Sequence, residues 1–402
     1  MQARPFVHHG TLPIVKKLRI GVIYGGRSGE HEVSLASAAS IIANLDRDRY
    51  EPIPIRIEKD GRWTIPDRPP TSVSAGEVIT RARVDGVRPP RTGREAHLVP
   101  HPSDEVLLTI ERLADPAIDR PRENAYITGL SLDVIFPVLH GPYGEDGTVQ
   151  GLLELSDVAY VGAGVLASAV GMDKVVAKAL FVARGLPVVD QMVVRGDQWT
   201  ARQDDLARSV GARLGYPVFV KPANLGSSVG ITKVKEAAAL PAAVHLAAQF
   251  DRKVLIEVAV PEAREIECGV LGNDRPEASV PGEVVPSREF YDYEAKYLDE
   301  GSRLHIPAPI PGDVARAVQR LSVEAFMAVD AAGMARVDFL LSRSTGKLYL
   351  SEINTIPGFT TISMFAKLWE ASGLSYPALV DRLVDLALER HAEKKRLRTS
   401  LL

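Results

Sequence analysis

Apolar and polar positions along the chain change period several times, and each change predicts an element. Residues 18–24 (Leu-Arg-Ile-Gly-Val-Ile-Tyr) form a short apolar run closed by Gly25-Gly26. Leu35, Ala38, Ala39, Ile42 and Leu45 then recur at three-to-four spacing, which predicts a helix behind a glycine turn with Ser34 as its N-cap. A second apolar run at 133–139 enters His140-Gly-Pro-Tyr-Gly-Glu-Asp-Gly147, and a helical pattern through Leu152, Leu153 and Leu155 follows. The repeated strand, loop and helix predict an α/β unit with a mainly parallel sheet. Between the two runs, residues 57–126 scatter prolines among many arginines with only brief periodicity, predicting a partly ordered surface insertion. Further along, the pattern predicts a helix over Val170 to Arg184 and strands at 216–221, 230–234 and 253–260. A hairpin over 335–353 and an amphipathic helix from Leu374 to His391 close the chain, with the charge run Glu393 to Arg398 as a solvated helix end.

Composition narrows the class. Hydrophobic residues make up 46% of 402 and charged residues 25%, which supplies a substantial core and excludes wholesale disorder. A formal charge of −3 gives no basic field for nucleic acid, yet leaves room for specific anionic ligands. The single cysteine, Cys268, excludes an intramolecular disulfide framework and any cysteine-based zinc site, and its apolar neighbours mark it as an inert packing residue. No apolar run is long enough to span a bilayer, and the first residues lack a secretory core; a cytoplasmic protein without membrane partners is expected.

Candidate chemistry concentrates in three places. Pairing the 335–353 hairpin symmetrically about Thr345 sets Asp338 opposite Glu352 and Arg336 opposite Asn354, and period-two alternation puts all four on one face. Two carboxylates and an amide oxygen are hard donors suited to Mg²⁺; a cross-strand charge pair on a surface hairpin is the competing reading. Lys221 precedes the loop Gly226-Ser-Ser-Val-Gly230, where backbone N–H groups could wrap anionic oxygens, although an ordinary glycine-rich hairpin loop reads the same way. The only Gly-Lys pair, Gly346-Lys347, lacks the upstream glycine of a phosphate-binding P-loop. Gly162-Ala-Gly164 is a poor dinucleotide fingerprint, with no acidic residue placed to hold a ribose. Finally, Glu30 and His140 follow the two apolar runs, at the carboxyl ends of predicted strands where α/β proteins bind ligands.

Taken together, Tyr24-Gly-Gly-Arg-Ser-Gly-Glu-His-Glu-Val-Ser34, Leu139 to Gly147, Met172-Asp-Lys174, Val220-Lys-Pro222 with Gly226 to Gly230, Phe290-Tyr-Asp-Tyr-Glu-Ala-Lys-Tyr297 and Glu352-Ile-Asn-Thr-Ile-Pro-Gly358 resemble the ordered motifs of D-alanine–D-alanine ligases, in the ATP-grasp superfamily. The resemblance covers residues 17 to 390 apart from 57–126. It implies an N-terminal substrate-binding domain over 17–165, a central ATP-grasp lobe over 166–257 and a C-terminal lobe over 258–390 that carries a metal site and a closing loop. It also implies ATP, two Mg²⁺ (or Mn²⁺), a monovalent cation such as K⁺, a homodimer, and a product destined for peptidoglycan. The implied reaction phosphorylates one D-alanine carboxylate and lets the second D-alanine's amine attack the acyl phosphate.

Residue by residue, the resemblance implies that Lys174, Lys221 and Ser228 bind ATP phosphates, Glu265 the ribose, and Glu257 and Val260 the adenine end, with Val258 where some members carry lysine. Asp338, Glu352 and Asn354 would hold the metals. Arg336 and the N–H of Gly358 would stabilise the oxyanion, Glu30 and His140 would receive the first D-alanine, and Ser363 and Met364 the second. Lys296 and Tyr297 belong to the closing loop, and Tyr297, Ser227 and Glu30 would form a hydrogen-bonded triad. A D-alanine–D-lactate ligase, or a silent nucleotide-binding relative, are the rivals. The second would have lost Arg336 or a metal ligand; the first tends to lack the tyrosine.

Tyr297 therefore carries a prediction. Replacing it by Phe keeps the ring and removes the hydroxyl, so Tyr297→Phe should retain ATP-dependent activity and gain D-alanyl-D-lactate synthesis, most visibly at low pH where the competing amine is protonated. Competition between the two nucleophiles across a pH series measures this, and an unchanged amide-to-ester ratio refutes it.

Overall fold

The computed structural model describes residues 16–72, 74–85, 93–112, 125–286, 303–398 and 400. Its N-terminal unit is organised on β1 (Leu18–Gly25), whose last six residues are buried. β1 runs parallel to β2 (Tyr50–Ile57) and to β7 (Val134–Val138), and β8 (Ala159–Tyr160) runs parallel to β7. α1 (His31–Asn44) and α3 (Thr148–Leu155) make the crossovers. Ser34 lies one turn inside α1 and not at its start, where Glu30 holds the N-cap position. There it accepts the Gly25 N–H at 2.7 Å and donates to the Val138 carbonyl, joining the ends of β1 and β7.

The expected surface insertion is instead half of this sheet. β3 (Trp63–Ile65), β4 (Arg94–Leu98), β5 (Leu107–Arg112) and β6 (Ala125–Leu130) continue from β2 in antiparallel pairs, giving the order β6-β5-β4-β3-β2-β1-β7-β8, and α2 (Ala75–Asp85) packs beside α1. The sheet is thus mixed and not mainly parallel. These strands have six residues or fewer, and the outermost, β6, leaves Tyr126 and Ile127 65% exposed, so no clean two-residue period marks them in the sequence.

A second sheet is antiparallel, in the order β11-β10-β12-β9: β9 (Gln191–Arg195), β10 (Val218–Pro222), β11 (Thr232–Val234) and β12 (Lys253–Val258). α6 (Gly196–Arg213) and α7 (Leu240–Ala247) cover it, with Trp199, Val220, Val244 and Ile256 in the core. The helix expected over Val170 to Arg184 is two helices, α4 (Val165–Met172) and α5 (Lys174–Ala183), divided at Asp173. Its carboxylate caps α5 by accepting the N–H groups of Val175 and Val176, which favours a new helix start over continuation.

The third sheet runs β16-β15-β13-β17-β18, with β14 (Glu277–Ala278) beside β13. Its strands are β13 (Ala263–Gly272), β15 (Gly282–Val285), β16 (Arg303–His305), β17 (Gly333–Ser342) and β18 (Leu348–Asn354). Phe181 of α5 and Phe326 of α8 (Gly312–Ala328) share its core with Phe339 and Ile353. The hairpin register is the one read from the sequence, Arg336 opposite Asn354 and Asp338 opposite Glu352, with a slip of one residue only beyond Asp338. α9 (Met364–Ala371) and α10 (Tyr376–Lys395) follow.

The first and third units are welded together. Ile20 and Phe136 of the N-terminal sheet share one core with Phe359, Phe365, Leu383 and Leu386. The charged end of α10 is solvated as expected, and it is also tethered: exposed Lys394 and Lys395 pair with Glu154 and Asp157, and Arg390 donates to the Gly162 carbonyl at 2.6 Å. No helix among the described residues is long and apolar enough to cross a membrane.

Candidate active site

The carboxyl ends of β1 and β7, the β10–β11 loop and the end of β18 meet around a cleft of about 100 Å³. Glu30 enters it from the start of α1, and Ser227 of the central loop donates to the Glu30 carboxylate across the cleft. This contact needs glycine behind it: a Cβ on Gly226 would stand 2.9 Å from Glu30 Oε2. Ser227 and Ser228 both take left-handed backbone angles, φ +49° and +58°, an unfavourable conformation for L-residues that clusters at functional sites.

Charge in and beside the cleft is dense, and most of it is paired. Buried Glu257 sits between Lys178 Nζ at 2.5 Å and Lys221 Nζ at 2.6 Å. Burial disfavours ionisation of Glu257, but the two lysines overcome it and hold the carboxyl down at about 2. Lys178, 2% exposed, is pushed below the usual lysine range by burial that Glu257 only partly offsets; for Lys221 the Glu257 charge outweighs burial and the direction is upward. Lys174 donates to the Leu225 carbonyl at 2.8 Å and lies 3.3 Å from Glu352, so it links the central loop to the hairpin.

On the hairpin, the Arg336 guanidinium forks onto Asp338 with two bonds of 2.7 Å and approaches Glu267 at 2.9 Å. Burial works against its charge, yet Asp338 and Glu267 raise its proton affinity well above that of a free arginine. Asn354 donates its amide to Asp338 at 2.9 Å. Asp338, Glu352 and Asn354 thus offer two carboxylates and an amide on one strand pair, the oxygen-rich donor set that a small divalent cation takes.

The segment after β18 forms the floor. His140 donates from Nδ1 to the Ile356 carbonyl at 3.1 Å and accepts at Nε2 from Ser37, whose oxygen in turn receives the Phe359 N–H at 3.2 Å. Burial lowers the pKa of His140, consistent with the neutral tautomer this network requires. Gly358 fits tightly beside Ser363, whose hydroxyl accepts the Thr360 N–H at 2.9 Å at the head of α9, and buried Met364 follows.

Glu30, Ser227, Ser228, His140, Lys174, Arg336, Glu352, Asn354 and Gly358 therefore line one cleft. Lys221, partly buried, pairs with buried Glu257 in the central sheet, Asp338 is tied to Arg336, and Val260 is buried just past β12. Glu265 lies on β13 opposite Leu340 and Val284, and Ser363 and Met364 start α9. Lys296, Tyr297 and the rest of their loop lie outside the described residues. Cys268 is buried, which pushes its thiol up to about 11 and suits a packing role. Three polar residues were not anticipated. Lys178 recurs one helical turn after Lys174, and Glu267 pairs across β17, but neither is distinguishable from a surface charge until the partner strand is known. Glu145 sat within a recognised motif; it lines the cleft wall, where desolvation and the nearby Glu30 charge push its carboxyl up to about 8. A larger cavity of about 420 Å³ lies between α3 and α10, but Arg390, His391 and Lys394 around it are already bonded to Tyr160, Asp157 and Glu154.

Two family models match the chain: "D-ala D-ala ligase N-terminus" over residues 19–163 and "D-ala D-ala ligase C-terminus" over 180–385. A D-alanine–D-alanine ligase of Thermoanaerobacter sp. is 51% identical over 95% of this chain and 99% of its own, and one of Heliobacterium modesticaldum is 48% identical over 96% and 99%. Among solved structures, the D-alanine–D-alanine ligase of Coxiella burnetii superimposes with TM-score 0.76 at 34% identity, covering 95% of this chain and 97% of that one. The VanG D-Ala:D-Ser ligase of Enterococcus faecalis gives TM-score 0.76 at 31% identity over 92% and 100%.

The Lys178–Glu257–Lys221 cluster sets a stability prediction. Glu257→Gln strands the buried Lys178 ammonium and the partly buried Lys221 ammonium and should cost about 3–5 kcal/mol, whereas Lys178→Met leaves Glu257 paired to Lys221 and should cost clearly less. The Glu257→Gln deficit should shrink as pH rises, because the folded variant then binds fewer protons on its lysines than the unfolded chain does. Denaturant unfolding between pH 7 and 9.5 tests both, and equal, pH-independent losses would contradict the pairing.

Proposed function

The chain belongs to the D-alanine–D-alanine ligase family, an ATP-dependent ligase family, and from that premise we propose how its residues divide the joining of two D-alanines. The observation that carries the reading is the convergence of Glu30, Arg336 and Gly358 on one cleft where the three sheets meet. Glu30, fixed by Ser227, receives the ammonium of the first D-alanine. Its carboxylate is thereby turned toward Arg336 and the central loop.

Lys174, Lys221 and Ser228 hold the ATP phosphates, with Glu257, Val260 and Glu265 toward the nucleoside. A carboxylate oxygen of the first D-alanine attacks the γ-phosphorus and ADP leaves. The amine of the second D-alanine, held near Ser363 and Met364 and having lost a proton, attacks the acyl carbon, and phosphate departs with the electron pair of the cleaved C–O bond. Arg336, permanently charged, and the Gly358 N–H meet the oxyanion formed in between. Asp338, Glu352 and Asn354 fit Mg²⁺ or Mn²⁺ and would hold it, and such an ion supplies charge neutralisation at the phosphates. Asp338 now serves Arg336 and Asn354, so these partners keep its charge satisfied. Lys296 would act on the transferred phosphoryl group, and the Tyr297 hydroxyl on the choice of nucleophile. The product fits the supply of a peptidoglycan precursor in the cytoplasm.

Purified protein with ATP, Mg²⁺ and D-alanine, plus D-serine and D-lactate as competing nucleophiles, tests the reading. D-alanyl-D-alanine and phosphate should appear in equal amounts and dominate at neutral pH. Hydrolysis of ATP without dipeptide overturns the assignment, and D-alanyl-D-serine as the main product overturns the choice of second substrate.

A further inference from the structure

We propose that Glu145 is a positioning residue: together with His140 it grips both polar groups of Ile356 and so fixes the loop that carries the Gly358 N–H. This rests on the ligase reading and adds a residue to which the motifs assign no role.

The grip is two-sided. Glu145 Oε1 accepts the Ile356 N–H at 3.2 Å, while His140 Nδ1 donates to the carbonyl of the same residue at 3.1 Å. Both gripping residues come from the loop after β7, in the N-terminal unit; the gripped residue lies two positions past β18, in the C-terminal unit. The other carboxyl oxygen of Glu145 accepts the Gly141 N–H at 2.7 Å, which folds the loop back and sets the reach of the side chain. Ser37 extends the hold by one step: its oxygen accepts the Phe359 N–H and its hydroxyl serves His140. Bonds at Ile356 and at Phe359 therefore bracket Gly358 from both sides. Only two residues separate the two anchors, and one of them, Pro357, has a fixed φ, so little backbone freedom is left to the Gly358 N–H.

The chemistry of the side chain matters as well as its size. Each oxygen of Glu145 accepts one backbone N–H. A carboxyl group can do this whether or not it carries a proton, because a hydroxyl oxygen still accepts while its hydrogen points elsewhere. The upward shift of its pKa is thus compatible with the grip and removes a second negative charge from the neighbourhood of Glu30. A glutamine cannot substitute: its NH₂ must face either Gly141 N–H or Ile356 N–H, setting donor against donor.

The test is steady-state kinetics of full-length Glu145→Gln, with Ser37→Ala as a second variant that loosens the same loop from its other end. Because the loop is displaced and ATP contacts are untouched, kcat for dipeptide synthesis should fall by about 10- to 100-fold while the Kd for ATP stays within about twofold. The two losses should be less than additive in the double variant, since both act through one segment. A kcat within about twofold of the parent in Glu145→Gln, a parallel loss of ATP affinity, or full additivity each overturns the proposal. If Glu145→Gln does not fold, unchanged kcat in Ser37→Ala does the same. Failure of the ligase reading would be seen separately, as a parent protein that makes no dipeptide.

Discussion

Buried charge has to be paired, and the site is arranged around that constraint. A lysine or carboxylate removed from water costs several kcal/mol unless an opposite charge sits beside it. Glu257 supplies that partner for Lys178 and Lys221, Asp338 and Glu267 supply it for Arg336, and Glu352 approaches Lys174. The result is a set of cations held in place before any polyphosphate arrives. Each has a carboxylate that keeps it folded in, and in the proposed reaction together they would supply the preorganised electrostatics that phosphoryl transfer demands.

Preorganisation of the charges would be wasted if the units carrying them moved freely. The N-terminal and C-terminal units share one hydrophobic core through Phe136, Phe359 and Phe365, whose rings meet edge to face. Polar bonds from His140, Glu145 and Ser37 to the segment 356–359 refine that fit at the cleft itself. The central sheet has its own core and is tied in by polar bonds, Lys174 to Leu225, Lys253 to Asp173, Lys178 to Glu257 and Ser227 to Glu30. A floor built on a shared core, under a central unit joined to it by polar bonds, suits a site that has to admit ATP and two amino acids and then exclude water.

Much of this was legible in the sequence because it depends on local periodicity. The 335–353 hairpin has a turn that can be located, so its register follows and places Asp338 against Glu352. The strands β3 to β6 were not legible, since they are short and one-sidedly exposed, and their pairing is decided by β2. Asp173 could have been seen as a cap dividing α4 from α5, but an apolar pattern continuing on both sides hid it. Glu145, Glu267 and Lys178 were hidden for a different reason: each acquires its meaning from a partner on another strand or in another unit, and such contacts leave no periodic trace.

In the proposed reaction the paired cations, Arg336 and the Gly358 loop serve transfer of a phosphoryl group to a D-alanine carboxylate and then its displacement by an amine. D-alanine labelled with ¹⁸O in the carboxylate distinguishes this from every route that avoids an acyl phosphate. Attack of the amine at the acyl carbon leaves the bridging carboxylate oxygen on phosphorus. Mass spectrometry of the phosphate released alongside dipeptide should therefore find one labelled oxygen per phosphate. Dipeptide formed with unlabelled phosphate would contradict the account.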